Sequence, residues 1–343
     1  MNHLYRLLEK DLFPDWLIRI RIRQLLKVRL RQENRGTREQ NQEHLIGVVR
    51  KLKDSPIAIH TIAANEQHYE VPSDFFRSVM GRYMKYSSGF WQSPNVGIDE
   101  SERAMLELTC QRAALKDGMT VLDLGCGWGS LSLYIAETYP KCKILGVSNS
   151  TSQKKYIDAE ARRRGLRNLT IQTVDVNVFK TKIKFDRIVS VEMLEHVRNY
   201  ETLFERLAGF LKKDGLFFVH IFTHKTYSYP FEVVDDTDWM AKYFFTGGQM
   251  PSHDLLLYFQ KDFLIQNQWI INGKHYSLTS EAWLRNMYSN RKEILEIFER
   301  TYGKENSLKW FVYWKVFFLS CAELWKFRDG EEWAVSHYLF QKR

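Results

Sequence analysis

The sequence predicts an α/β fold: a doubly wound, mostly parallel sheet, preceded by a helical N-terminal cap and interrupted by an inserted lid. Three observations carry that expectation. Between about residues 101 and 222, helical and strand-like spacings alternate. The strand-like segments are short, apolar and rich in β-branched residues, the composition of strands covered on both faces. The first of them runs straight into a glycine turn that opens a helix.

Taken in order, residues 1–100 read as a helical, polar cap region, with a break at "YEVPSDFF" and a Gly/Ser/aromatic loop at "YSSGFWQSP". Residues 101–222 form the core. There "DESERAMLELTCQRAAL" has helical spacing, "MTVLDLG" is a strand, "GSLSLYIAETYP" a helix, "CKILGVS" a strand and "STSQKKYIDAEARRRG" a helix. "LTIQTVD" and "FDRIVSV" are strands, "NYETLFERLAGFLKKDG" a helix ending in glycine, and "LFFVHIF" a strand. Residues 223–262 interrupt this alternation and read as an insertion on the side where ligands bind in open α/β sheets. In 263–343 the sheet is completed by "FLIQNQWII" and "WAVSHYLFQKR". Between them lie two helices, "TSEAWLRNMYSNRKEILEIFERTYG" and the aromatic "SLKWFVYWKVFFLSCAELWKF".

Composition narrows the function classes. A hydrophobic content of 44% with 14% aromatics suits a globular protein with an aromatic-walled cavity and excludes a disordered chain. The four cysteines show neither CxxC nor zinc-ligand spacing, so no disulfide framework and no metal is expected, and a reducing, cytoplasmic setting is the default. No run approaches the roughly 20 apolar residues of a spanning helix. The net charge of +9 gathers in "WLIRIRIRQLLKVRLRQENRG", where Arg19, Arg21, Arg23, Lys27, Arg29 and Arg31 alternate with Leu and Ile. That segment reads first as a helix packing its apolar stripe on the protein and solvating its arginines, with peripheral lipid contact as the second reading. Nucleic acid ranks below both, because no recognition motif accompanies the charge.

The glycine turn identifies the kind of cofactor. "VLDLGCGWGSL" sets Asp123, Gly125, Gly127 and Gly129 where a strand becomes a helix, so a ligand can approach bare backbone. The spacing is not GxGxxG, and the residue about 20 positions on is not acidic, which disfavours a pyrophosphate-bearing dinucleotide. A strand ending in an acidic residue before GxGxG resembles the first motif of Rossmann-like class I methyltransferases, which use S-adenosyl-L-methionine. Such enzymes usually set an acidic side chain against adenine at the end of the third strand, where this chain has Asp175 in "QTVDVNVF". The second strand departs from their pattern: it ends "VSNSTSQ" and offers Ser148, Asn149 and Gln153 in place of an acidic ribose ligand.

That variant is similar to one branch, the cyclopropane-fatty-acyl-phospholipid synthases and the plant coclaurine-type N-methyltransferases. "YEVPSDFF", "SQKKYI", "EMLEHVRNY", "FVHIFTHKTY", "DDTDWMAKYFFTGGQMPS", "LLLYFQ", "NGKHYS" and "GEEWAVSHYLF" resemble segments of the latter, in the same order, from about residue 15 to the end. The resemblance implies cofactor contacts from Tyr69, Ser87, Ser88, Asp123, Gly125, Gly127, Asn149, Gln153 and Asp175, with Val176 and Val191 beside them. It implies substrate contacts from Glu195, Tyr229, Phe231, Trp239 and Trp333, and a homodimer. The synthases usually read "YSCGYW" where this chain has "YSSGFW", so Ser88 stands in place of a cysteine tied to the bicarbonate used in their carbon methylation.

"VEMLEHVRNY" holds the candidate catalytic residues Glu192, Glu195 and His196 at spacings of three and four, which a helix would bring to one face. Like charges at that spacing repel unless a cation arrives. The resemblance implies that Glu192 and His196 handle the proton of a small-molecule amine and that Glu195 anchors it. On charge alone, the two carboxylates are expected to raise the proton affinity of His196 and make it a base near neutral pH. The expected activity is therefore N-methylation of a hydrophobic, aromatic amine, with carbon methylation of unsaturated lipid acyl chains as the alternative.

Overall fold

The structure, a computed structural model, describes residues 2–59, 71–233 and 238–343. Its nine strands are β1 (Thr120–Leu124), β2 (Lys143–Ser148), β3 (Leu169–Thr173), β4 (Phe185–Val191), β5 (Leu211–His224), β6 (Tyr229–Pro230), β7 (Gln249–Met250), β8 (Phe263–Ile271) and β9 (Trp333–Lys342) among the described residues. Seven of them form one sheet in the order β3-β2-β1-β4-β5-β9-β8, and β6 pairs with β7 apart from it. The first five strands of the order run parallel; β9 lies antiparallel between β5 and β8. The chain winds outward from β1 to β3 and then crosses to β4, so β1 and β4 meet at the point where the winding reverses. Their carboxyl ends splay apart there and leave a crevice.

The helices are α1 (Asn2–Glu9), α2 (Asp15–Glu33), α3 (Arg38–Lys53), α4 (Ser73–Val79), α5 (Ile98–Arg112), α6 (Ser130–Thr138), α7 (Thr151–Arg163), α8 (Tyr200–Phe210), α9 (Trp239–Tyr243), α10 (Lys274–Ser289), α11 (Arg291–Tyr302) and α12 (Lys304–Lys326). Local chemistry sets their starts. Thr37 and Gln40 form a capping box at α3, Ser150 accepts from the Gln153 amide at α7, and Asn199 accepts from the Thr202 amide at α8. None of the helices is long and apolar enough to cross a membrane, among the described residues.

Two helix expectations need correction. The helix predicted to run to Gly215 stops at Phe210, because Leu211 is already extended and pairs with buried Phe185 of β4. The helix predicted across 279–303 is two, broken at Asn290, whose side-chain amide donates to the Ser78 carbonyl at 2.7 Å and holds the break against α4.

In α2, Ile18 and Ile22 are buried while Trp16, Leu17 and Ile20 are exposed. Its basic face is not simply solvated. Arg19 forks onto Glu281 at 2.6 and 2.8 Å and onto Glu323 at 2.9 Å, and Arg29 reaches Asp238 at 2.9 Å. The N-terminal helices are thereby tied to α10, α12 and the inserted segment.

Candidate active site

A cavity of about 900 Å³ opens at the carboxyl ends of β1 and β4. Asp123, Gly125, Gly127 and Val191 form its floor, Tyr276, Trp283, Phe317 and Trp325 one wall, and Tyr229, Phe231, Trp239 and Phe245 of the insertion another. Leu8, Phe13, Ile22, Leu25 and Arg29 of the N-terminal segment complete it. A smaller cavity of about 90 Å³ continues past the glycine turn between Asn149, Gln153, Asp175 and Val176.

The turn is shaped to receive something. Gly127 takes a φ of 53° and a Cβ there would meet open space, on the wall shared by both cavities. Gly129 takes a φ of 79° as the residue before α6, and a Cβ there would press within 2.6 Å of Ile157. Ser130 Oγ, Gln153 Nε2 and Trp128 Nε1 are buried polar atoms with no hydrogen-bond partner, and all three residues line the large cavity. Buried donors without acceptors are costly unless a ligand satisfies them. Asp123 is buried and accepts from Ser132 Oγ at 2.6 Å, and burial pushes its carboxyl up to about 6. The smaller cavity's described walls carry neither Lys nor Arg, which fits a cofactor without phosphate. These residues fit S-adenosylmethionine: unsatisfied polar atoms, glycine backbone and an acidic side chain suit its amino-acid end, and Asn149 and Asp175 its nucleoside end.

Where the two cavities meet stands Glu192, which lines both. It is not on a helix. The expected helical face is absent: Glu192 follows β4 with a φ of 47°, and Leu194–His196 form a single 3₁₀ turn before α8. Donors from other segments gather around Glu192. Tyr276 Oη donates to Oε2 at 2.6 Å, while the Ser88 amide and His220 Nε2 reach Oε1 at 3.2 and 3.1 Å. Burial pushes this carboxyl up to about 7, with the nearby Lys85 ammonium, the Tyr276 hydroxyl and the Ser88 amide pulling the other way. Lys85 is itself buried, donates to Ser87 Oγ, and is pushed down to about 8 by burial, against the pull of Glu192 and Glu102.

The other two residues of the cluster behave differently. Glu195 accepts from the Phe222 amide at 3.2 Å and is held well above the usual carboxylate range by burial and then by Glu192. It lies beneath the cavity wall. His196 lines both cavities and stacks on Phe245 at 5.6 Å with the rings 4° from parallel. The expected rise in its proton affinity is reversed: burial first, and the neighbouring Arg198 guanidinium second, push it down to about 4. The sequence reading counted formal charges, but burial disfavours the charged form of the imidazole itself as well as those of Glu192 and Glu195.

Of the other sequence candidates, Ser87 and Val191 line the large cavity, as do Tyr229, Phe231 and Trp239. Ser88 sits behind Ser87 and offers its amide to Glu192. Trp333 is fully buried off the cavity, donating from Nε1 to Tyr229 Oη at 3.1 Å. Tyr69 lies outside the described residues. Sequence reasoning missed Lys85, Tyr276 and His220, which lie 107, 84 and 28 positions from Glu192. A lysine directly before the "YSSG" loop was the one local signal.

The profile described as mycolic acid cyclopropane synthetase matches residues 58–331. The (S)-coclaurine N-methyltransferase of Thalictrum flavum subsp. glaucum is 39% identical, over 99% of this chain and 95% of that protein. Pavine N-methyltransferase of the same plant is 38% identical over 94% of this chain and 92% of its own length. A crystal structure of coclaurine N-methyltransferase bound to N-methylheliamine and SAH superposes with a TM-score of 0.96 at 38% identity, covering 99% of both chains.

Proposed function

The chain belongs to the mycolic acid cyclopropane synthetase family, on its coclaurine N-methyltransferase-like branch, and from that we propose that it methylates the nitrogen of a hydrophobic, aromatic amine. It is an S-adenosylmethionine-dependent methyltransferase. One observation carries the choice of reaction: a carboxylate with a proton affinity near neutrality, Glu192, stands where the cofactor cavity opens into an aromatic one.

Bound S-adenosylmethionine supplies a methyl group already activated on a sulfonium. The residues around it have three tasks. Asp123, the glycine turn, Gln153 and Asp175 hold the cofactor from below. Phe231, Trp239, Trp283 and Phe245 enclose the amine, and rings around a cationic nitrogen contribute up to about 2 kcal/mol in a dry site. Glu192 takes the ammonium proton and frees the nitrogen lone pair, with Tyr276, His220 and the Ser88 amide stabilising the carboxylate until it does so. His196, neutral and stacked, borders the same space as a hydrogen-bonding group. Methyl transfer then depends on alignment more than on acid or base. The insertion serves as a lid over the amine, supported by the four aromatic residues it contributes to the wall. A cytoplasmic, homodimeric enzyme completes this reading, supported by four free cysteines and by the family resemblance.

The test offers purified protein labelled S-adenosylmethionine with two pools, aromatic secondary amines and vesicles of unsaturated phospholipid. Label is expected in the amines. Label confined to acyl chains would overturn the proposal in favour of carbon methylation.

A further inference from the structure

The donors on Glu192 continue away from the cavity as a chain of fixed polarity. His220 and His337 face each other directly across β5 and β9, and Trp269 of β8 is the next residue in the same row. His220 Nε2 is 3.1 Å from Glu192 Oε1, His220 Nδ1 is 2.8 Å from His337 Nε2, and His337 Nδ1 is 2.9 Å from Arg112 Nη1. Both rings are fully buried. Arg112 closes the last turn of α5, stacks over the Trp269 ring at 4.8 Å, and is not part of the cavity lining.

A guanidinium can only donate. His337 Nδ1 must therefore accept, which puts that ring's proton on Nε2. Facing it, His220 Nδ1 must also accept, so its proton too is on Nε2, pointing at Glu192. An extra proton on either ring would set two N–H groups against each other, and burial with the surrounding cations keeps both rings neutral. Without Arg112 only the charge on Glu192 distinguishes the two tautomers of His337, and that distinction is lost when the carboxyl is protonated. In the reversed chain His220 would present a lone pair to Glu192, an arrangement that suits only the protonated carboxyl.

We propose that Arg112 is a positioning residue for the active-site carboxylate: it fixes the tautomers of His337 and, through it, of His220, so that a ring N–H faces Glu192. Its kinetic consequence rests on the reading of Glu192 as the proton acceptor; the tautomer assignment does not. The other titratable groups facing this chain are Lys85 beside Glu192, His220 and His337, Tyr276 and Cys321 from α10 and α12, Glu195 below Glu192, and Glu102 beside Lys85.

The test has two parts. Nitrogen NMR of the full chain labelled with ¹⁵N-histidine reads the tautomers directly; both rings are expected neutral with the proton on Nε2. A proton on Nδ1 of either ring, or a charged ring, in the wild-type protein overturns the proposal, whether or not any amine is methylated. The pH profile of kcat/KM then reads the consequence. Arg112→Met is expected to move its rising limb up by about one pH unit, a roughly tenfold loss on the acid side, with cofactor affinity retained. Arg112→Lys, still a donor, is expected to restore most of it. His337→Gln, whose amide accepts at one atom and donates at the other, is expected to keep the wild-type limb where His337→Leu does not. A limb that stays fixed in both Arg112→Met and His337→Leu overturns the proposal.

Discussion

Glu192 has a backbone conformation that residues with a Cβ rarely adopt, at a cost of about 1 kcal/mol. From that position its carboxylate meets donors from three distant segments, Ser88, His220 and Tyr276. Its titration sets opposite trends in stability and activity. The carboxyl holds its proton more tightly in the fold than its ordinary 4.5, so its contribution to stability is whole below 4.5 and is lost as pH climbs through about 7. Over the same window the base form accumulates. Glu192→Gln keeps the shape and most of the hydrogen bonds, and is expected to lower turnover by about 100-fold or more while removing the limb near pH 7. Steady-state rates across pH check it; a limb that persists in this variant would assign the titration to another group.

At the scale of the elements, the glycine turn and the sheet register position the site. Gly127 and Gly129 share positive φ but not surroundings. Gly127→Ala adds a methyl to open cavity, so it is expected to cost about 1 kcal/mol of stability and to abolish most cofactor affinity. Gly129→Ala drives the methyl into Ile157 under α7 and is expected to cost more in stability than in binding to whatever protein remains folded. Thermal unfolding and cofactor titration separate the two.

The β-α alternation was readable in the sequence because strands buried on both faces and glycine turns leave local patterns: β1, β2, β3, β4, β8 and β9 all lie within the segments that predicted them. The site was readable only in part. Asp123, Gln153 and Glu192 sit on recognisable local motifs. His220, His337 and Arg112 join through strand pairing and helix packing, and Tyr276 through a helix that returns from beyond the insertion. Spacing along the chain carries no trace of those meetings. Periodicity also misread "VEMLEHV", since a buried carboxylate with three donors outweighs the helical preference of one short turn.

The N-terminal helices are held over the cavity by polar ties to α10, α11 and α12, among them Arg19 to Glu281 and Glu323, Arg291 to Asp11 and Tyr313 to Glu9. Arg19 contacts two carboxylates whose side chains are 28% and 10% exposed, and loss of the guanidinium would take the arginine from Glu281 and leave Glu323 only Arg23, at 3.4 Å. Arg19→Ala is expected to lower stability by about 2 kcal/mol in chemical denaturation, part of it recovered in the triple variant that also carries Glu281→Gln and Glu323→Gln. No recovery would mean that packing of the arginine stem, not charge, makes the tie.

Those ties also set a schedule for biosynthesis. Arg19 and Glu323 are 304 positions apart. At about 5–20 residues per second, the ribosome exposes the basic, leucine-rich helix roughly 15 to 60 seconds before its last partner is made. During that interval Ile18, Ile22 and Leu25 have no wall to complete. The final closing of the cavity is thus a late event of synthesis, after α12 has been made.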